Sequence, residues 1–130
     1  MGLFDKITPA KRRGDLGEDA AERHLKAKGY RILERNWRFR QWELDLVCRD
    51  GDTVVFAEVK TRSARTMGSP SDGLSRAKQG RLVKAASQYL SKHDLWDEPC
   101  RFDLVAVVDH GGDLDVEHTE NAFDLTGTAW

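Results

Sequence analysis

Between Trp42 and Arg62 the chain reads WELDLVCRDGDTVVFAEVKTR, two short apolar runs around an Asp-Gly turn signal, with Glu43, Asp45, Glu58 and Lys60 set inside the runs themselves. Runs of this period fold as a strand pair with one face in a core. An uncompensated carboxylate taken out of water there costs several kcal/mol, so these charges have to be paired with one another or share a cation. No other stretch of the sequence restricts the fold as strongly.

Whether the charges meet is a question of parity, because successive side chains on a strand alternate faces. Glu43 and Asp45 share one face of the first strand; Phe56, Glu58 and Lys60 share one face of the second. If Arg49 pairs with Asp52 across a tight Asp50-Gly51 turn, Glu43 stands opposite Glu58 and Asp45 lies one step diagonal to it. If Arg49 pairs with Val54, Asp45 faces Glu58 and Glu43 faces Lys60. An odd loop sends Asp45 and Glu58 to opposite faces unless a bulge restores the parity. Val55, Ala57 and Val59 cover the other face.

At 130 residues the chain is of one-domain size, with a basic, flexible arm expected over Met1–Arg13 and a single domain over 14–130. It has no apolar run near the eighteen or so residues of a membrane span and no signal-peptide pattern, which implies a cytoplasmic protein. Cys48 and Cys100 are far apart, and His24, His93, His110 and His118 lack ligand spacing, which argues against a disulfide framework or a zinc site.

The formal net charge of −1 conceals a segregation. Residues 1–40 carry eleven Lys/Arg against six Asp/Glu, 41–59 one against five, 60–92 eight against one, and 93–130 one against ten. An acidic cluster bracketed by basic segments is what phosphodiester chemistry needs, cations for the backbone and acids for a metal. Solvated faces of amphipathic helices produce the same distribution.

A helix is predicted from Asp15 to Lys28: Asp15 as cap, Glu18 in capping-box position, an apolar stripe of Leu16, Ala20, Ala21 and Leu25, and Gly29 as terminator. Glu18 borders that stripe, so it either caps the helix or points into a site beneath it. Tyr30–Arg35 reads as a strand, followed by a basic-aromatic connection, Asn36–Arg40, whose Trp37, like Trp42, either packs or stacks on bases. Ser63–Gly73 is loop. A second helix is predicted over Ser75–Ser91, burying Leu82, Ala85, Ala86, Tyr89 and Leu90 and leaving Arg76, Lys78, Arg81 and Lys84, with Arg62 before it, for solvent or phosphates. Gly80 marks a bend or a close approach. Arg101–Asp109 and Leu114–His118 are strands around a His110-Gly111-Gly112 turn, with Asp103 either an edge residue or a support behind the site, and a short tail through Phe123 to Trp130.

Asp45 and Glu58, with the backbone carbonyl of Val59, are hard oxygen ligands suited to Mg²⁺ or Mn²⁺. Lys60 would orient a metal-bound water or neutralise the phosphate in attack. Cross-strand ion pairing is the ordinary alternative.

Taken in order, GDLGEDAAERHLKAKGYRILERNWR, ELDLVCRDG, VVFAEVKTR, GSP, AKQGRL, AASQYL and RFDLVAV resemble the YraN-like family of small bacterial proteins. That family is itself similar to archaeal Holliday-junction resolvases and to the PD-(D/E)xK restriction-endonuclease-like superfamily. The resemblance runs from about Gly14 to Phe123. It implies that Asp45, Glu58 and Lys60 are the motif residues, that Glu18 is the helix-borne acid completing a metal site, and that Lys78 and Gln79 lie near the substrate. One departure is Trp42, where the family usually has glycine; an indole there obstructs a nucleic-acid backbone or stacks on it.

The expected fold is α/β, a restriction-endonuclease-like core with a mixed four- to five-stranded sheet flanked by helices, in the order α-β-β-β-α-β-β. The expected activity is Mg²⁺-dependent hydrolysis of structured or branched DNA, with a homodimer as the assembly that resolvase likeness suggests. A non-catalytic nucleic-acid-binding module and a protein-interaction domain with an acidic face are the rival expectations.

Overall fold

The computed structural model describes residues 9–66 and 74–123. Its elements are α1 (Pro9–Ala27), β1 (Arg31–Phe39), β2 (Trp42–Asp50), β3 (Thr53–Ser63), a 3-10 turn (Ala64–Thr66), α2 (Arg76–Lys92), β4 (Cys100–His110) and β5 (Asp113–Phe123). The five strands form one sheet in the order β1-β2-β3-β4-β5. Strands β3 and β4 run parallel; the other neighbours are antiparallel. This is the expected restriction-endonuclease-like α-β-β-β-α-β-β arrangement.

Each helix covers one face. On one side α1 brings Ala20, Ala21 and Leu25 onto Leu46, Cys48, Val55, Ala57, Val105 and Val107. On the other α2 brings Leu82, Ala85, Ala86, Tyr89 and Leu90, the five residues expected from its period, onto Leu44, Val47, Val54, Phe56 and Phe102. Phe123 stacks on Phe102 at 4.6 Å. It is therefore core and the end of β5, where the sequence suggested a tail. Cys48 and Cys100 are free thiols, and among the described residues no helix is long and apolar enough to cross a membrane.

Two boundaries differ from expectation for local reasons. Helix α1 starts at Pro9, not Asp15. Proline tolerates the first helical turn because its missing N–H has no partner there, and the part of the expected arm that is described is helical. Residues 1–8 of that arm, and the 67–73 part of the expected loop, lie outside the described residues. Strand β1 continues to Phe39, so the basic-aromatic connection is strand as well. The helix stop was legible: Gly29 has φ +92°, its N–H reaches the Lys26 carbonyl and the Tyr30 N–H the Leu25 carbonyl, a Schellman closure.

Two features fix α1 and β5 relative to the sheet. A Cβ on buried Gly17 would lie 1.9 Å from Thr61 Oγ1 and 3.0 Å from its Cβ, so α1 touches β3 through a glycine. Gly80 is exposed with open space around it and makes no close approach. On β4, Asp103 is 1% exposed and accepts from His118 Nε2 (2.7 Å), Arg101 Nε (3.0 Å) and the Asn121 N–H (3.0 Å). It is the buried anchor of β5, not an edge residue.

Gly17→Val is expected to lower stability by about 1–3 kcal/mol through overpacking against Thr61, and Asp103→Ala by about 3–5 kcal/mol by stranding Arg101 and His118. Urea denaturation of each variant measures both, and a loss below about 1 kcal/mol for Asp103→Ala would contradict the anchoring role.

Candidate functional site

The hairpin of β2 and β3 turns at Gly51-Asp52, with Gly51 at φ +61° and Arg49 opposite Val54. That is the register expected to bring Asp45 to Glu58. Regular pairing stops one step earlier, at Leu46 opposite Ala57. Leu46 belongs to the α1-side core and Leu44, two residues away, to the α2-side core, so the strand rotates between them, at Asp45. Asn36 stands across β1 from this point with φ +53°, and the same change of face separates Arg35 from Trp37. Rotation there frees the Val59 N–H from the ladder, and Asp45 Oδ2 accepts it at 2.9 Å.

Asp45 and Glu58 are thereby crowded together. Burial and the neighbouring negative Glu58 push the Asp45 carboxyl up to about 7, against the opposing pull of the Val59 N–H and the Lys78 charge. Glu58 is 13% exposed in its side chain and is bridged by Lys78 Nζ at 3.0 Å. Lys78 comes from the first turn of α2, whose start is capped by the Ser75 hydroxyl accepting the Lys78 N–H.

Glu18 lies in the interior of α1, so its capping role disappears with the earlier helix start. Its carboxyl is raised by burial, lowered by a hydrogen bond with Asn36, raised again by Asp45, and lowered by Arg35. Arg35 reaches across from β1 to Asp19 (2.6 Å), Glu18 (3.6 Å) and Glu22 (3.7 Å). Glu18 thus stands within electrostatic reach of Asp45 but is held by Arg35 and Asn36. Among the described residues, no three His, Cys, Asp or Glu side chains form a group ready to hold a metal. The centre is a carboxylate pair with a third acid beside it.

Lys60 is half-buried on β3, next but one to Glu58, and is paired along the sheet with Ala106; Arg62, also half-buried, pairs with Val108. Gln79 is 3% exposed; its Nε2 donates to the Leu74 carbonyl at 3.0 Å, while its Oε1 is buried without a partner among the described residues. Arg76 is exposed at the start of α2. Lys84 lies over the Trp42 ring at 5.9 Å, and Trp42 packs on the α2-side core. Trp37 meets Tyr89 edge-to-face at 5.3 Å. Both indoles are packing groups. Glu43 is not part of the centre: it is exposed and pairs with Arg38 at 3.4 Å. Arg35 and Asn36 were missed as site residues, because the strand reads as regular on either side of the change of face between Arg35 and Trp37.

A family model described as uncharacterised protein family UPF0102 matches residues 17–107. The chain belongs to this family, the YraN family that the sequence blocks resemble. A UPF0102 protein of Nitratidesulfovibrio vulgaris (strain DP4) is 50% identical over 115 residues, covering 88% of this chain and 86% of the relative. One of Myxococcus xanthus (strain DK1622) is 48% identical over 121 residues, 92% of this chain and 96% of the relative. The matched segment of the UPF0102 model contains Glu18, Asp45, Glu58, Lys60, Lys78 and Gln79.

The raised Asp45 carboxyl has a sign that can be tested. Its folded value lies above the unfolded one, 3.8, so the native state holds a proton that the unfolded chain releases. Stability contributed by this group is present at low pH and is lost as pH rises from about 4 to about 7. Asp45→Asn mimics the protonated acid and is expected to stabilise the protein by about 2 kcal/mol at pH 8 and by almost nothing at pH 4. Thermal melts of both proteins across that range check this; equal differences at both pH values would contradict it.

Proposed function

We propose that this UPF0102 protein is a metal-dependent endonuclease acting on structured or branched DNA. The observation carrying this reading is the Asp45–Glu58 pair: two carboxyls crowded where the β2–β3 pairing ends, one pushed up to about 7 by burial and by its acidic neighbour. Mg²⁺ is commonly held by one or two carboxylates together with waters and substrate phosphate rather than by a complete protein cage. Asp45, Glu58 and the Val59 carbonyl suit such a half-open site, for Mg²⁺ or Mn²⁺. A bound ion of this kind would acidify water and offset the charge that develops on phosphorus.

The chain's own groups have separable tasks. Asp45 keeps its position through the Val59 N–H on Oδ2, and its other oxygen would be the one to hold a cation. Lys78 holds Glu58 and, with a cation bound there, would be free to hold a phosphate oxygen. Lys60 neutralises the scissile phosphate or orients the attacking water. Glu18 joins the pair, directly or through a water, once Arg35 yields it. Arg62 and Arg76 supply further phosphate contacts, and the unpartnered Gln79 Oε1 accepts a hydrogen bond from a substrate donor or an ordered water.

One observation favours a rival reading, a nucleic-acid-binding module that does not cleave. The Lys78–Glu58 bridge at 3.0 Å already supplies one positive charge to the pair without a metal.

Cleavage of labelled four-way junctions and of linear duplexes in Mg²⁺ or Mn²⁺ decides between them. Lys60→Ala is expected to abolish cleavage, a fall of about 10²-fold or more, with affinity for the junction kept within about twofold. Tight binding by the unmodified protein without cleavage in either ion would leave the binding module as the correct reading.

A further inference from the structure

Beyond the carboxylate pair, the hairpin of β1 and β2 and the neighbouring side of α2 carry a row of cations held over aromatic rings. Lys92 Nζ sits 4.2 Å above the Phe39 ring, the Arg40 guanidinium 5.2 Å from the same ring, and Lys84 Nζ 5.9 Å from the Trp42 ring. Phe39 and Trp42 are partners across the two strands. Arg40, Lys84 and Lys92 are all exposed. The acids on this rim have partners of their own: Glu43 meets Arg38 at 3.4 Å and Glu34 meets His93 at 3.8 Å.

Rings under cations are not platforms for bases. Phe39 is covered by Lys92 and Arg40 and stacked on Trp37 at 6.3 Å, and Trp42 packs against the core beneath Lys84. Stacking of unpaired bases, the usual grip on single strands, therefore has to displace contacts already made. What remains available is the outward positive charge, ordered in advance by the rings. Pre-ordering lessens the side-chain entropy lost when a phosphate is gripped.

The row also has a direction. Helix α2 begins beside the centre, with Lys78 on Glu58, and ends at Lys92 over Phe39. From Lys78 to Lys92 the helix rises about 21 Å, the length of about six base pairs of B-form DNA.

We infer that Arg40, Lys84 and Lys92 form a phosphate rail that holds a double-stranded DNA arm leading away from the carboxylate pair. The rail rests on the endonuclease reading for what happens at its inner end, and on the cation–ring geometry for binding. It grips the backbone of a duplex and reads no bases.

The test is the salt dependence of binding, measured by fluorescence anisotropy with a labelled duplex of about 20 base pairs in EDTA, so that no cleavage occurs. Replacing all three residues, Arg40→Gln, Lys84→Gln and Lys92→Gln, is expected to lower the slope of log affinity against log salt by about 0.9 for each phosphate released, roughly two to three units in total. Exchanging the two lysines by Lys84→Arg and Lys92→Arg keeps the slope, which separates charge from folding. Lys26→Gln on α1, a cation paired with Glu22 at 2.9 Å, leaves it unchanged. An unchanged slope in the triple variant would overturn the rail, as would a single strand of equal length binding as tightly as the duplex. If the unmodified protein binds duplex through these residues and cleaves nothing in Mg²⁺ or Mn²⁺, the rail stands and the endonuclease reading falls. If it cleaves and the triple variant keeps its slope, the rail falls and the endonuclease reading stands.

Discussion

The hydrogen bond from the Val59 N–H to Asp45 is the contact on which the site depends. A strand that leaves its partner exposes backbone groups, and a buried N–H without an acceptor costs on the order of 1–3 kcal/mol. Asp45 supplies the acceptor at the point where the β2–β3 ladder ends. That solution has an electrostatic consequence. The carboxyl that satisfies the backbone is brought beside Glu58, which Lys78 bridges from α2.

Two aspartates of this chain, half-buried Asp45 and buried Asp103, differ in how their charge is met. Burial works to raise both carboxyls. At Asp103 the hydrogen bonds from His118, Arg101 and the Asn121 N–H outweigh it, and the group lies below the ordinary aspartate range. At Asp45 one N–H and a nearby lysine face a second acid, and the group rises to about 7. Asp103 has its full complement of donors, so its charge is settled and β5 is pinned. Asp45 is short of positive charge, and a perturbation of that kind, in a group aimed at a neighbouring acid, is characteristic of sites that act on something else.

Much of this was legible in the sequence because local period and tertiary burial agree. Every buried residue expected on α2 is buried, and the Gly29 stop is a Schellman closure as its position indicated. The register of Asp45 toward Glu58 was one of two even solutions, and the choice between them lies in the turn at Gly51-Asp52, which composition alone does not decide. What could not be read are contacts between distant residues that obey no period. His118 meets Asp103 from another strand, and Arg35 reaches three acids of α1. The rotation at Asn36 and Asp45 hides for a different reason. It breaks alternation in both strands at once, so each reads as regular on either side of the break, and by simple alternation Leu44 would share a face with Leu46 although the two lie in different cores.

Glu18 shows how narrow the margin is between an idle acid and a ligand. Gly17 against Thr61 fixes how close α1 lies to β3, and the next residue inherits that distance. Arg35 is shared among Asp19, Glu18 and Glu22, with its shortest contact to Asp19 at 2.6 Å and only 3.6 Å to Glu18. Ion pairs of partly exposed groups such as these contribute about 0–1 kcal/mol, and Arg35 keeps two partners when it gives up the third. Release of Glu18 from Arg35 therefore costs little, and the Asn36 hydrogen bond is its remaining tie. With a cation in the proposed site, the balance would favour an acid that stands aside in the free protein and turns to the pair on binding, with Arg35 retained by Asp19 and Glu22.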